Sequence, residues 1–324
     1  MRSSCLFLCG VFGTILLLSC GVYADTLVGG NIQSDRAWDP SMNPIHIISD
    51  LAVMSGVVLT VEPGCAIRSD EGIVITIYGD MIADGTPEQP IIFTKWGPGN
   101  WEKIFMISSD GGSVFDYCRI SDATMPFEIE SDQPSHTATI SNCYIESGGT
   151  VIKVTDSNPT IMGNVIKTDG GRGIEVRVNN GSYGLSPVIS GNAISSRARG
   201  GQGIYIECWR PGTTVSISDC HIKGFLTCIK FYVDDYSGSH LNVSGCALYD
   251  YEDYSVQITD DPSSVYHVTA SGTLSGNWLG NTAISYHHLS TIDAIGNFWV
   301  IPVADLPSEV TRVNDSPVNV FPEA

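Results

Sequence analysis

The chain has 324 residues, with 16 Lys and Arg against 35 Asp and Glu, a formal net charge of −19. This balance excludes nucleic acid and anionic membrane surfaces as partners, and it admits an anionic polysaccharide only through a bridging cation. With 43% hydrophobic residues and 34 glycines the chain is too apolar for a disordered segment, and it is long enough to bury a continuous core.

The first 24 residues read as a secretory leader. Arg2 precedes an apolar run from Leu6 to Leu18, and small residues follow. Val22 and Ala24 suit cleavage after Ala24. The alternative treats LLSC as a lipobox with Cys20 as the lipid anchor. The run is too short and wrongly flanked for a transmembrane span, and no other stretch is long enough. The expected location is secreted or cell-envelope.

Residues 25–110 alternate turns and strands and are read as an N-terminal cap with the first coils, 25–58 being the cap itself. Pro63-Gly64 makes a tight turn after the strand ending at Val61. Residues 111–324 then carry a repeated phrase, in which a small or polar pair precedes Asn or Cys and an apolar residue follows two positions later. Its pivots are Cys118, Cys143, Asn164, Asn192, Cys220, Cys246, Asn277 and Asn297, 20–31 residues apart. Such a period marks units that stack because none can bury its apolar face alone. Between pivots the apolar residues alternate, as in GIEVRV, GIYIEC and CIKFYV, which is the period of β-strands. The predicted fold is all-β, a right-handed parallel β-helix with an N-terminal cap and a closing segment at 300–324. The longer connections, 128–137, 179–187, 197–202, 208–213, 233–240 and 259–266, are expected to protrude.

A stacked Asn can donate to and accept from its neighbours in a tight interior turn, and Cys fits the same volume. Of ten cysteines three lie in the leader, and most of the rest sit on this ladder or on strands. They are therefore expected as buried thiols, with neighbours Cys220 and Cys246 unbridged. No CxxC pair suggests zinc.

The segments LTVEPGCAI and IYGDMIADGTPEQPIIFT, then Trp101 before an apolar strand, resemble the opening of secreted bacterial right-handed parallel β-helix repeat proteins of the pectate-lyase-like superfold. The usual form of that opening is LTIEPG, G-x-L-x-A-x-GT, then PIxFT. The closing GNFWV and the Val/Pro-rich tail are similar too. The resemblance implies the fold, secretion, and a substrate groove on one strand face and its adjoining loops. The family's catalytic blocks are missing: Asp234-Asp235 is a DD pair with no GHG after it, and no pectate-lyase calcium cluster is recognisable.

Aligning the strand after each pivot yields outward columns. One runs Lys153, Glu175, Tyr205, Lys230, Gln257, Ser285. The next runs Thr155, Arg177, Glu207, Tyr232, Thr259, His287, and a third Asn179, Trp209, Asp234, Asp261. Flat aromatic faces flanked by charges suit a sugar, so Tyr205, Trp209, Tyr232 and Glu175 are candidates for substrate binding. Glu207, Asp234, Lys230 and Arg177 are candidates for catalysis. Glu207 and Asp234 lie one coil apart and two residues offset, about 8 Å by strand geometry, within the range of inverting glycosidases. Outward strand positions are polar for other reasons, and β-propensity alone favours Tyr, Trp and Thr there. Asp234, Asp235, Asp260 and Asp261 could hold Ca²⁺, although surface acidity also explains them. His287 and His288 point to opposite faces and do not form a shared metal site.

Two functional classes follow. The leading one is a non-catalytic scaffold that binds carbohydrate or a cell-surface glycan. The alternative is a polysaccharide lyase, glycoside hydrolase or epimerase acting on the same face.

Overall fold

The computed structural model describes residues 25–107, 112–131, 137–179, 185–209, 212–233, 239–260, 270–275, 277–279, 284–286, 291–293 and 298–299. The expected leader with Cys20, the expected closing segment and Asn297 lie outside the described residues.

The chain winds as a parallel β-solenoid with three strand faces. The first face runs through Ala66–Ser69, Ile91–Lys95, Cys118–Ala123, Tyr144–Ser147, Val165–Thr168, Ala193–Ser196, His221–Lys223 and Ala247–Tyr249. The second runs through Val74–Ile77, Lys103–Ile107, Phe127–Glu130, Ile152–Thr155, Ile174–Val178, Gln202–Cys208, Thr227–Val233 and Tyr254–Asp260. The third is an eleven-stranded sheet from Arg36–Trp38 to Thr291–Asp293. Strands on each face pair in parallel with the coils before and after.

The expected cap at 25–58 is not a separate layer. Thr26–Ile32 pairs in parallel with Ile45–Val53, and Arg36–Trp38 pairs with Val58–Val61, so these residues are themselves coils of the stack. Fully buried Trp38 plugs the core at this end. Among the described residues no helix is long and apolar enough to cross a membrane.

Alternation sends one residue in two inward. Ile152 and Val154, Ile174 and Val176, Ile204 and Ile206, Ile229 and Phe231, and Val256 and Ile258 are all buried in continuous columns. Phe93, Phe115 and Phe127 interlock beside them, with ring centroids 6.2 and 4.9 Å apart. Trp101 is also fully buried, and its indole N–H donates to Ser121 O at 2.9 Å. That contact explains the Trp before an apolar strand.

The recurring phrase is a corner between the third and first faces. Among the described residues the one before the pivot adopts the left-handed conformation in six coils: φ is 45° at Tyr117, 50° at Asn142, 67° at Gly163, 62° at Gly191, 54° at Asp219 and 62° at Gly245. Gly, Asn and Asp tolerate that region best, so the small or polar pair is a backbone requirement. The pivot then points inward and bonds along the stack. Asn164 Oδ1 accepts the Cys143 N–H at 2.9 Å, Asn192 Oδ1 the Asn164 N–H at 3.0 Å, and Asn277 Oδ1 the Cys246 N–H at 2.8 Å. Their Nδ2 groups donate to Ile140, Ile161 and Val243 carbonyls at 2.9–3.0 Å. Cysteine sulfur takes the same place, accepting the Cys118 N–H from Cys143 and the Cys220 N–H from Cys246, both at 3.4 Å. The column extends one coil further toward the N-terminus, where Ile91 pairs with Cys118.

The seven cysteines among the described residues are buried free thiols, Cys220 and Cys246 included. Burial pushes the Cys208 thiol up to about 12, which keeps it protonated and unreactive at neutral pH.

Candidate functional site

The second face carries the predicted columns in the predicted register. Lys153 pairs with Glu175, Glu175 with Tyr205, Tyr205 with Lys230, Lys230 with Gln257, and Gln257 with Ser285. The adjacent column runs Thr155, Arg177, Glu207, Tyr232, Thr259. Trp209 follows the strand Gln202–Cys208 and is 43% exposed. The side chains of Lys153, Thr155, Glu175, Arg177, Tyr205, Glu207, Lys230, Tyr232 and Gln257 project from one sheet.

Outward did not mean exposed. Glu175 is only 4% exposed, because two arginines close over it. Arg172 Nη1 lies 2.8 Å from Glu175 Oε2, and Arg177 Nε bonds Glu175 Oε1. Arg177 Nε also reaches Glu207 Oε2 at 3.4 Å. Burial works against the Arg177 charge, but Glu175 and then Glu207 outweigh it and hold the guanidinium protonated more firmly than usual. Arg172 also stacks over Tyr205, with 3.8 Å from Cζ to the ring centroid. Burial, reinforced by the Glu207 anion, raises the Tyr205 phenol. Tyr205, Glu175, Arg177 and Glu207 are thus brought together. Lys230 is half-buried on the next coil and, among the described residues, has no carboxylate partner.

A second cluster continues the same columns toward the N-terminus. Glu128 bridges Lys103 at 2.5 Å and Lys153 at 2.7 Å. Burial pushes its carboxyl up, but the hydrogen bonds from both lysines outweigh this and hold it below the ordinary carboxylate value of 4.5. Lys103 escaped the sequence reading because the aligned columns begin at Lys153, and Glu128 because 128–137 reads as a loop. The strand Phe127–Glu130 in fact occupies its start, paired with Ile152–Thr155. The alternating FEIE before the Ser/Asp/Gln/Pro stretch was the available signal. Arg172 was missed because it precedes the aligned strand.

A lowered folded pKa gives stability that is in full above the ordinary value and is lost as pH falls through the folded value. Wild-type protein should therefore lose more thermal stability than Glu128→Gln when acidified below 4.5. Melting curves across that range check this, and parallel loss in the two proteins would refute it.

Asp234, Asp235, Asp261, His287 and His288 lie outside the described residues, so the Glu207–Asp234 separation is not described. Asp260 ends the strand Tyr254–Asp260 opposite Val233. Among the described residues no group of three His, Cys, Asp or Glu could hold a metal ion.

Residues 99–235, which span both clusters, match the family described as right handed beta helix region. The protein is a right-handed parallel β-helix. No curated protein matches this β-helix in sequence. Among solved structures, an alginate lyase from Paenibacillus sp. str. FPU-7 is similar at 15% identity, covering 79% of this chain and 95% of that chain, with a TM-score of 0.42. The Azotobacter vinelandii mannuronan C-5 epimerase AlgE6 A-module is similar at 14% identity, covering 85% and 91%, with a TM-score of 0.27.

Proposed function

We propose that this β-helix is a secreted or cell-envelope scaffold that binds a glycan along its second face, without catalysis. The observation that carries this reading is the mutual engagement of the charged groups. Glu175 and Glu207 are bonded to Arg177, and Glu128 to two lysines. A general acid needs a pKa near the working pH, whereas Glu128 is driven the other way. Arg177, held firmly protonated, is poorly suited to act as a base. A prearranged network of fixed donors and acceptors, with Tyr205, Tyr232 and exposed Trp209 around it, suits recognition of sugar hydroxyls and ring faces.

The test combines a glycan array with a reducing-end assay. Trp209→Ala and Tyr232→Ala should each weaken binding of the array hit about tenfold or more, since buried aromatic anchors dominate such contacts. Glu207→Gln should change affinity only modestly, with no turnover before or after. Turnover in the wild type that falls about 10²–10⁴-fold in Glu207→Gln would instead establish the enzyme reading. Full binding by the double aromatic variant would remove the second face as the site.

A further inference from the structure

The terminal coil at the N-terminal end leaves its core unfinished. Among the described residues, strands Thr26–Ile32 and Arg36–Trp38 each pair on one side only, with Ile45–Val53 and Val58–Val61. Two core columns end on residues that do not continue them. Buried Ile104, Ile75 and Leu51 form one column, and Gly30 ends it, with open space where a side chain would be. Fully buried Met81 and Leu59 belong to another, and the residue that ends it is Arg36.

A groove of about 420 Å³ crosses this end, lined by Leu27, Val28, Ile32, Ile48 and Trp38 over Leu51. Leu27 is 60% and Ile48 48% exposed. Ile48 stands out because the pairing of Thr26–Ile32 with Ile45–Val53 shifts register beside it, between Val28 and Gly30. Arg36 lines the same groove, is exposed, and has no carboxylate partner among the described residues. Asp35, Asp39 and Asp50 are adjacent in sequence to lining residues, but they accept backbone N–H groups from Val58, Ser41 and Val74 at 2.8–2.9 Å. An apolar trough with one uncompensated guanidinium therefore closes an otherwise acidic molecule.

We propose that the N-terminal end is a binding site for an amphiphilic carboxylate of the fatty-acid class, separate from the second face. The aliphatic chain lies along Leu27 and Ile48 over Leu51, removing exposed apolar surface from water. The carboxylate meets Arg36, whose planar fork matches it with two parallel hydrogen bonds. The groove has the volume of ordinary small-molecule sites. Net charge does not forbid this, because the local field of an unpartnered cation decides what docks at short range. A partner strand, from a second copy or another protein, fits less well. A register shift and an inward-placed charge are devices that blunt an open sheet edge against strand addition, and this edge carries both.

The experiment titrates the full protein calorimetrically with hexanoate, octanoate and decanoate below their micelle concentrations, and with 1-octanol as the uncharged analogue. Decanoate should bind at one per chain, and each pair of added methylenes should tighten binding about tenfold. Octanol should bind about tenfold more weakly than octanoate, and Arg36→Gln should weaken octanoate to about the same degree. Ile48→Asp should weaken decanoate about tenfold or more through lost apolar contact and added repulsion. Both variants replace exposed side chains, so melting temperatures should not change, and either one serves if the other folds poorly. Trp209→Ala/Tyr232→Ala should bind decanoate as wild type does. The proposal is overturned by no saturable binding of decanoate, by octanol matching octanoate, by wild-type affinity in both Arg36→Gln and Ile48→Asp, or by equal loss in the aromatic variant. It is also overturned if light scattering shows a dimer that Ile48→Asp dissociates, which would make this end an interface between copies.

Discussion

Ile229→Asp should unfold the middle coils, whereas Gln257→Ser should leave the melting temperature nearly unchanged. Ile229 is fully buried and stands in register between Ile204 and Val256. Its neighbours on both rungs are apolar, so an Asp there would find no cation and no water. Burying an unpaired carboxylate is among the few single changes that cost more than about 4–5 kcal/mol. That is a large part of the roughly 5–15 kcal/mol by which whole domains are stable. Gln257 follows Lys230 on the outward column and is half-buried, where substitutions usually stay within about 0.5 kcal/mol. Because coils contact mainly their neighbours, the damage should be local at first. Hydrogen exchange should accelerate on strands Gln202–Cys208, Thr227–Val233 and Tyr254–Asp260 before the N-terminal coils respond. Comparable melting shifts for the two variants would mean that the inward and outward assignments are wrong.

Those assignments were legible because strand alternation is strict and the pivots restart it in every coil. Once Asn164 and Asn192 are equivalent, Glu175 must face Tyr205 and Arg177 must face Glu207, as they do. The corner was only half legible. The phrase was visible, yet its cause, a left-handed residue at Asn142, Gly163, Gly191 and Asp219, needs backbone angles. The charge pairing was not legible at all. Whether Arg177 turns toward Glu175 and Glu207 or toward solvent depends on side-chain torsions, which spacing does not encode. Burial of Glu128 depends on lysines one coil to either side, at positions 103 and 153. Their significance appears only when the strand Phe127–Glu130 is recognised. The parallel pairing of Thr26–Ile32 with Ile45–Val53 was not legible either, because it depends on a partner strand, not on local composition.

Replacing Asn192 should rank the pivot chemistries, with Asn192→Leu the worst and Asn192→Cys far milder. Asn192 Oδ1 accepts both the backbone N–H and the Nδ2–H of Asn164 at 3.0 Å, and its own Nδ2 donates to Ile161 O at 2.9 Å. The side chain is fully buried, so no water can substitute. Leu fills the volume but strands the Asn164 donors and the Ile161 carbonyl. Each buried group left unsatisfied costs about 1–3 kcal/mol, so the total should reach about 3–5 kcal/mol if two groups stay orphaned. Cys has a precedent two coils away in each direction along the same column. Cys143 sulfur accepts the Cys118 N–H and contacts Phe115 O at 3.4 Å, and Cys246 sulfur accepts the Cys220 N–H. A thiol is a weak partner but not an absent one, so Asn192→Cys should retain part of the ladder and cost about 1–2 kcal/mol. Urea unfolding of the two variants reads the difference directly. Equal destabilisation would mean that packing volume, rather than hydrogen bonding, selects the pivot residue. The use of both Asn and Cys along the column would then have to be explained by size alone.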